Sequence, residues 1–284
     1  MIVAHSRGYL CPSQSFDGQV HSVFARSVNI TTSLRQTPWV SVLDSSLPAT
    51  PTGFQCSLAA VGNLTAKLQV GDGAFMRGGI IRFKPSCRVQ VNTLAALSWQ
   101  PEPAFSQLDH PLLQRNLRAV EQALLAHLGQ EKSQPVTALD DYLKLSGLTV
   151  SERLGAIPEA LFDNIGKGRG LTPAGDDFLL GVLAAAHGLR PLLPQAEQVI
   201  QRLTAPGLFN AYQTTSVSAH YLQLALAGHF SQPVQRLVFH LLQTADATQV
   251  QQALNATLAI GASSGADTSA GIVYAIGQLL PHRI

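Results

Sequence analysis

The sequence predicts an α+β chain. A mainly antiparallel β domain, a small sheet or barrel, is expected over residues 1–103, and a mostly α-helical domain over residues 104–284. Three observations carry this reading. Apolar residues fall in short runs between turn formers up to about residue 100. Beyond it they recur with a period near 3.6. A Pro-containing stretch separates the two regimes.

In the first half, residues 20–25, 39–43, 53–56 and 79–83 carry β-branched and aromatic side chains between turn formers and read as strands. Leu68-Gln69-Val70 reads as a strand running into the tight turn Gly71-Asp72-Gly73. Ser98-Trp99-Gln100-Pro101-Glu102-Pro103 reads as a linker. After it, Leu113, Leu117, Val120, Leu124 and Leu128 form one helical stripe that Gly129 is expected to end, with Asp109 as its cap. Further helices are expected over 139–145, 158–165, 176–189, 195–203, 216–227, 233–242, 247–260 and 267–280. Asp246-Ala247-Thr248-Gln249 resembles a capping box.

Composition narrows the function classes. Hydrophobic residues make up 46% of the chain and charged residues only 13%, about half the usual share, so the polar surface is built from Gln, Ser, Thr and Asn. Such a surface suits a subunit that buries area against partners. The net charge of +2 comes without a basic run, which argues against nucleic acid as a partner. The first residues lack the pattern of a signal peptide, and no apolar run approaches the ~20 residues of a membrane span, so a cytoplasmic location is expected. Cys11, Cys56 and Cys87 are scattered and odd in number; they fit buried thiols in a reducing compartment, and no structural zinc spacing occurs.

Two segments of the helical half echo each other. Gly175-Asp176-Asp177-Phe178-Leu179-Leu180-Gly181 and Gly265-Ala266-Asp267-Thr268-Ser269-Ala270-Gly271 both read Gly-x-Asp-x-x-x-Gly, and each runs into an apolar helix. Glycine permits a sharp turn and close backbone approach, and a first helical turn has free N–H groups that attract an anion. The glycines four residues beyond Asp177 and Asp267 let a second helix approach. If the two helices pack together, both aspartates face one pocket. Before the first copy, Gly166-Lys167-Gly168-Arg169-Gly170-Leu171-Thr172-Pro173 can wrap an anion with backbone N–H groups while Lys167 or Arg169 supplies charge. It is neither a Walker A loop nor a dinucleotide fingerprint.

A structural reading stands beside the functional one. Thr172 or Asp176 caps the helix, Pro173 sets its direction, and Asp177 pairs with Arg169. The doubled Asp176-Asp177 favours function, because one carboxylate suffices for a cap. Ser263, Ser264 and Thr268 are possible donors to an anion, and Arg77 has the reach to join from the β half. His187 reads as a packed residue. His220, His229 and His240 have no carboxylate at a partner spacing, and no serine elbow is present. Asn29 and His21 read as satisfied polar groups of the sheet.

The run Gly170-Leu171-Thr172-Pro173-Ala174-Gly175-Asp176-Asp177-Phe178-Leu179-Leu180-Gly181 resembles the signature of the AllH family. Ser263-Ser264-Gly265-Ala266-Asp267 resembles its later element, and Ser22-Val23-Phe24-Ala25-Arg26-Ser27-Val28-Asn29 is also family-like. Ala174 stands where Ser is usual, and Gly261-Ala262 where the family often has Gly-His. The resemblance implies a subunit of an oxamate carbamoyltransferase in allantoin and purine-nitrogen breakdown. That enzyme interconverts oxamate plus carbamoyl phosphate with oxalurate plus phosphate, and AllF-like and AllG-like subunits are the implied partners. On this reading Asp177, Asp267 and Lys167 are the catalytic candidates. Arg169, Thr172, Gly175, Asp176, Ser263, Ser264, Gly265 and Arg77 would bind the small anionic substrate, carbamoyl phosphate or oxamate. No cofactor is called for, with Mg²⁺ between the aspartates as the variant.

Two further readings compete: a noncatalytic structural or regulatory subunit, and a stand-alone hydrolase or transferase. The enzyme reading predicts Asp177 and Asp267 exposed in one cleft beside Lys167 or Arg169. The structural reading predicts them fully hydrogen-bonded within helix packing.

Overall fold

The computed structural model describes residues 1–86, 88–103, 107–150, 154 and 158–280; Cys87 lies outside the described residues. The chain forms two compact units, Met1–Pro101 and Glu102–Ile284.

The first unit is a curled sheet of ten strands. They are β1 (Ile2–Val3), β2 (Ser6–Arg7), β3 (Phe16–Phe24), β4 (Ser27–Thr32), β5 (Trp39–Asp44), β6 (Gly53–Cys56), β7 (Gly73–Arg77), β8 (Ile80–Lys84), β9 (Gln90–Asn92) and β10 (Leu97–Ser98), with helix α1 (Leu58–Thr65) after β6. Their order across the sheet is β1-β9-β8-β7-β3-β4-β5-β6-β2-β10. β1 and β2 are separated by Ala4 and His5 alone, yet stand near opposite ends of that order. A two-residue link cannot cross a flat sheet of this width, so the sheet must curl until its ends meet at residues 2–7. Ala4 accordingly donates to Asn92 O (2.9 Å) on one side, and His5 donates to Gln55 O (3.0 Å) on the other.

The inner face is apolar: Phe16, Val20, Val28, Ile30, Val40, Val42, Phe54, Met76 and Ile81 are buried in one cluster. Asn29, between Val28 and Ile30 in β4, points to the opposite face, where it donates to Ser22 Oγ and accepts from Ser41 Oγ. The antiparallel expectation holds for the central strands, but β1–β9, β5–β6 and β2–β10 pair in parallel. The strand expected at 68–70 is a turn instead. The Asp72 carboxylate accepts the Gln69 N–H and the Ser86 hydroxyl, which folds 69–72 back on itself, and the strand begins at Gly73.

The second unit is helical: α2 (His110–Lys132), α3 (Leu139–Leu145), a 3-10 helix (Pro158–Asn164), α4 (Ala174–Leu189), α5 (Pro194–Leu203), a 3-10 turn (Ala211–Gln213), α6 (Ser216–Leu226), α7 (Gln232–Gln243), α8 (Ala247–Leu258) and α9 (Ser264–Leu279). Asp109 caps α2 through the Leu112 N–H (2.9 Å), and Asp246 caps α8 through the Thr248 N–H (2.8 Å). Gly129 does not end α2. The helix continues to Lys132 and stops at Ser133, which adopts a left-handed conformation (φ 52°). The expected helix at 158–165 is of the tighter 3-10 form. Among the described residues no helix is long and apolar enough to cross a membrane.

α4 and α9 are the buried axis of this unit, with most of their residues closed off from solvent on every side. They touch backbone to backbone. A Cβ at Gly181 would stand 2.0 Å from Thr268 O, and one at Gly271 2.0 Å from Phe178 O. Gly277, further along α9, has open space where a Cβ would go. Two alanine substitutions therefore differ in sign. Gly181→Ala is expected to cost about 3 kcal/mol by forcing the helices apart. Gly277→Ala is expected to gain about 0.5 kcal/mol from helix propensity. Urea unfolding of the two variants checks this; a stable Gly181→Ala protein would mean that the helices have room to separate.

Candidate functional site

The two echoed motifs meet. The Thr172 hydroxyl, at the end of the glycine-rich loop, lies 2.8 Å from the Ser264 hydroxyl in the first turn of α9. The N-terminal ends of α4 and α9 are thus side by side, as the paired glycines require. Each end is a tight turn. Gly175 N donates to Lys167 O (2.9 Å) and Gly265 N to Ile260 O (3.0 Å). No side chain fits at either glycine, since a Cβ would stand 1.9 Å from Asn164 O or Thr257 O. The following N–H groups are also engaged: Asp176 and Asp177 donate to Pro173 O, and Ala266 and Asp267 to Ser263 O. Few first-turn donors are left for an anion.

The doubled aspartates have different surroundings. Asp176 is fully engaged: its carboxylate accepts the Gly166 N–H (2.8 Å), the Ser218 hydroxyl (2.6 Å) and the Thr214 hydroxyl, tying the start of α4 to the start of α6. Asp177 is 6% exposed, and its Oδ2 has no hydrogen-bond partner. Burial pushes its pKa up to about 8, partly offset by the Ser264 and Thr172 hydroxyls that face it. Asp267 repeats the pattern. It is 4% exposed, accepts the Tyr142 hydroxyl on Oδ1 and has no partner on Oδ2. Burial pushes it up to about 7, with Lys132 drawing it down and Glu131 raising it. Neither expectation for these aspartates is met. They are buried rather than exposed, and each has one oxygen unbonded, which is costly in a dry interior.

The cations divide. Lys167 is tethered, donating to Thr149 Oγ1 and Asn164 Oδ1 (both 3.2 Å), and so braces the loop. Arg169 is exposed between two glycines of positive φ, Gly168 and Gly170, and enters no ion pair among the described residues, including with Asp177. Ser263 is exposed and its hydroxyl does not cap α9. Thr268 is buried behind Asp267. Arg77 is bonded inside the first unit, to the Asp17 carboxylate (2.5 Å) and to Phe16 O and Met76 O. Among the described residues no group of three or more His, Cys, Asp or Glu is gathered to hold a metal ion.

Three residues of this site escaped the sequence reading. Tyr142 of α3 bonds Asp267, Lys132 at the end of α2 lies over the Tyr142 ring (5.9 Å to its centre), and the phenol of Tyr221 in α6, raised to about 12 chiefly by burial, is near enough to Asp177 for that charge to add to the shift. Each lies on a helix remote in sequence from the motifs. His187 also has an unbonded buried nitrogen, Nε2, but lies outside the motif turns; it and His220 are held down to about 4 by burial.

The fold and the paired motifs agree with the family comparison. Residues 164–276 match the model described as "Oxamate carbamoyltransferase subunit AllH", and residues 6–97 match the AllH family N-terminal domain. The chain belongs to the AllH family. The first match begins at Asn164, whose carbonyl packs against Gly175, and takes in both aspartate motifs. Membership in AllH supports a role as a subunit in a carbamoyltransferase-like system. No solved structure matches the chain.

The raised carboxyls give a pH signature. An acid whose folded pKa is raised binds more protons folded than unfolded, so its contribution to stability is full below about pH 4 and is lost as pH rises toward 7–8. His187 and His220 act oppositely between about pH 4 and 6.5. Subtracting the Asp177→Asn variant cancels the histidines. Between pH 5 and 7 the wild type is expected to lose about 1 kcal/mol per pH unit relative to that variant. A pH-independent difference in urea unfolding would show that Asp177 is ionised when folded.

Proposed function

We propose that this chain is the subunit of an oxamate carbamoyltransferase that holds the reacting groups at the joined ends of α4 and α9. The observation that carries the reading is the meeting of the two motif turns through Thr172 and Ser264, each turn carrying a buried carboxyl with one unbonded oxygen. In the reaction the oxamate nitrogen attacks the carbamoyl carbon. The new C–N bond forms, the C–O bond to phosphate breaks, and the proton lost by nitrogen leaves on phosphate. Such a transfer needs its partners positioned and water kept out more than it needs a covalent intermediate.

Asp177 and Asp267 are poor bases while un-ionised and good donors, so their role is to hold and orient. Arg169, exposed on its glycine loop, is the cation free to meet the phosphate, while Lys167 keeps that loop in place. AllF-like and AllG-like subunits complete the enzyme.

A noncatalytic role has one observation in its favour, since Asp176 and Lys167 are both engaged in holding loops together. An assay of the chain with its two partner subunits separates the readings. Oxalurate and phosphate are expected to form together, with at least a hundredfold loss of kcat/KM in Asp177→Ala and Asp267→Ala. Full activity in both variants would leave the chain as scaffold, and absence of oxalurate would mean another substrate.

A further inference from the structure

The two motif turns are copies of one design. From Pro173 and Ser263 onward, equivalent residues are 90 positions apart: Gly175 and Gly265, Asp177 and Asp267, Gly181 and Gly271. The bonds repeat as well as the letters. Asn164 O accepts the Lys167 N–H and closes on Gly175; Thr257 O accepts the Ile260 N–H and closes on Gly265. Gly181 rests on Thr268 O and Ile272 N, and Gly271 on Phe178 O and Val182 N. The same oxygen, Oδ2, is unbonded on both aspartates. These reciprocal contacts relate the two halves by an approximate internal two-fold axis.

The symmetry breaks where the chemistry differs. The place of Ser264, whose hydroxyl serves Asp177, is taken in the other half by Ala174, and Asp267 receives its hydroxyl from Tyr142 instead. The first loop is three residues longer and carries Arg169; the second half has Lys132 beside Tyr142.

We propose that α4 and α9 form two half-sites, each recognising one primary carboxamide: Asp177 that of the phosphate-bearing substrate, and Asp267, with Tyr142 as its positioning residue, that of the carboxylate-bearing one. This rests on the carbamoyltransferase reading, in which oxamate and carbamoyl phosphate differ in their acidic ends but share the group H₂N–C(=O)–. A carboxyl group and a primary amide exchange two hydrogen bonds, amide N–H to carboxyl oxygen and carboxyl O–H to amide carbonyl. That pairing needs an un-ionised acid, a form that burial favours at both sites, more strongly at Asp177 (about 8) than at Asp267 (about 7). A neutral amide also enters a dry surrounding at lower desolvation cost than a carboxylate or phosphate. Tyr142 fixes Oδ1 of Asp267 and leaves Oδ2 toward the ligand. Lys132 lies on the side assigned to the carboxylate, and Arg169 is carried by the loop that leads into the half-site assigned to the phosphate.

The test is calorimetric titration of the full chain, alone and assembled with its partner subunits. The probes are oxamate and phosphonoacetamide, a stable stand-in for carbamoyl phosphate. Oxalate and inorganic phosphate, which lack the amide, are the controls and are expected to bind at least tenfold more weakly. Asp267→Ala, which removes both donor and acceptor, and Tyr142→Phe are expected to weaken oxamate at least tenfold and spare phosphonoacetamide; Asp177→Ala does the reverse, while Asn at either position keeps the pairing and much of the affinity. Sparing of one ligand shows that a variant is folded, and the conservative Tyr142→Phe covers any loss of fold in Asp267→Ala. Equal binding of the controls, loss of both ligands together in every variant, unchanged affinities, or no binding in either form would overturn the proposal. Oxalurate formation measured alongside separates the two ideas. Selective amide binding without turnover sinks the carbamoyltransferase reading alone, and turnover with affinities indifferent to both aspartates sinks the half-sites alone.

Discussion

The second unit depends on one close approach, the backbone contact of α4 with α9 at Gly181 and Gly271. Helices with ordinary side chains at the crossing keep their axes 8–10 Å apart. Here glycine on each helix meets a carbonyl of the other, so the helices sink into one another. That closeness brings Thr172 within reach of Ser264 and places both aspartates one turn from the contact, where they are largely closed off from solvent. The raised carboxyls are a consequence: the packing dries them first, and the unbonded oxygens follow.

Asp176 and Asp177 show how neighbouring identical residues divide labour. One carboxylate is met by a backbone N–H and two hydroxyls and works as a brace between α4 and α6. The next, turned by one residue around the helix, faces α9 and has an oxygen to spare. The same division holds for the cations: Lys167 is held by Asn164 and Thr149, while Arg169 is free on its glycines. The 166–177 segment is therefore both structural and chemical, with the roles assigned residue by residue.

The helices were legible in the sequence because their apolar stripes and caps are local, as at Asp109 and Asp246. The motif pair was legible because glycine and aspartate at fixed spacing carry a backbone meaning that needs no partner. What was hidden is long-range. Nothing near Tyr142 or Lys132 signals that they end beside Asp267, 125 residues away for the tyrosine. The parallel pairs β1–β9 and β2–β10 join segments some ninety residues apart, beyond the reach of any local pattern. The strand mistaken at 68–70 failed for a local reason, since Asp72 folds back onto Gln69 and overrides β propensity.

The curled sheet carries a consequence for how the chain folds. Residues 2–7 join the two ends of the sheet, pairing with 54–55, 91–92 and 97–98. This segment precedes its partners in the chain and is the last to complete its pairing, because the strands at 90–98 are made well after it. Contacts of such sequence separation form late and slowly. Until then β6 and β9 remain open edges, and the nascent first unit passes through a stage in which another chain's strand could fill the gap that residues 2–7 are meant to close.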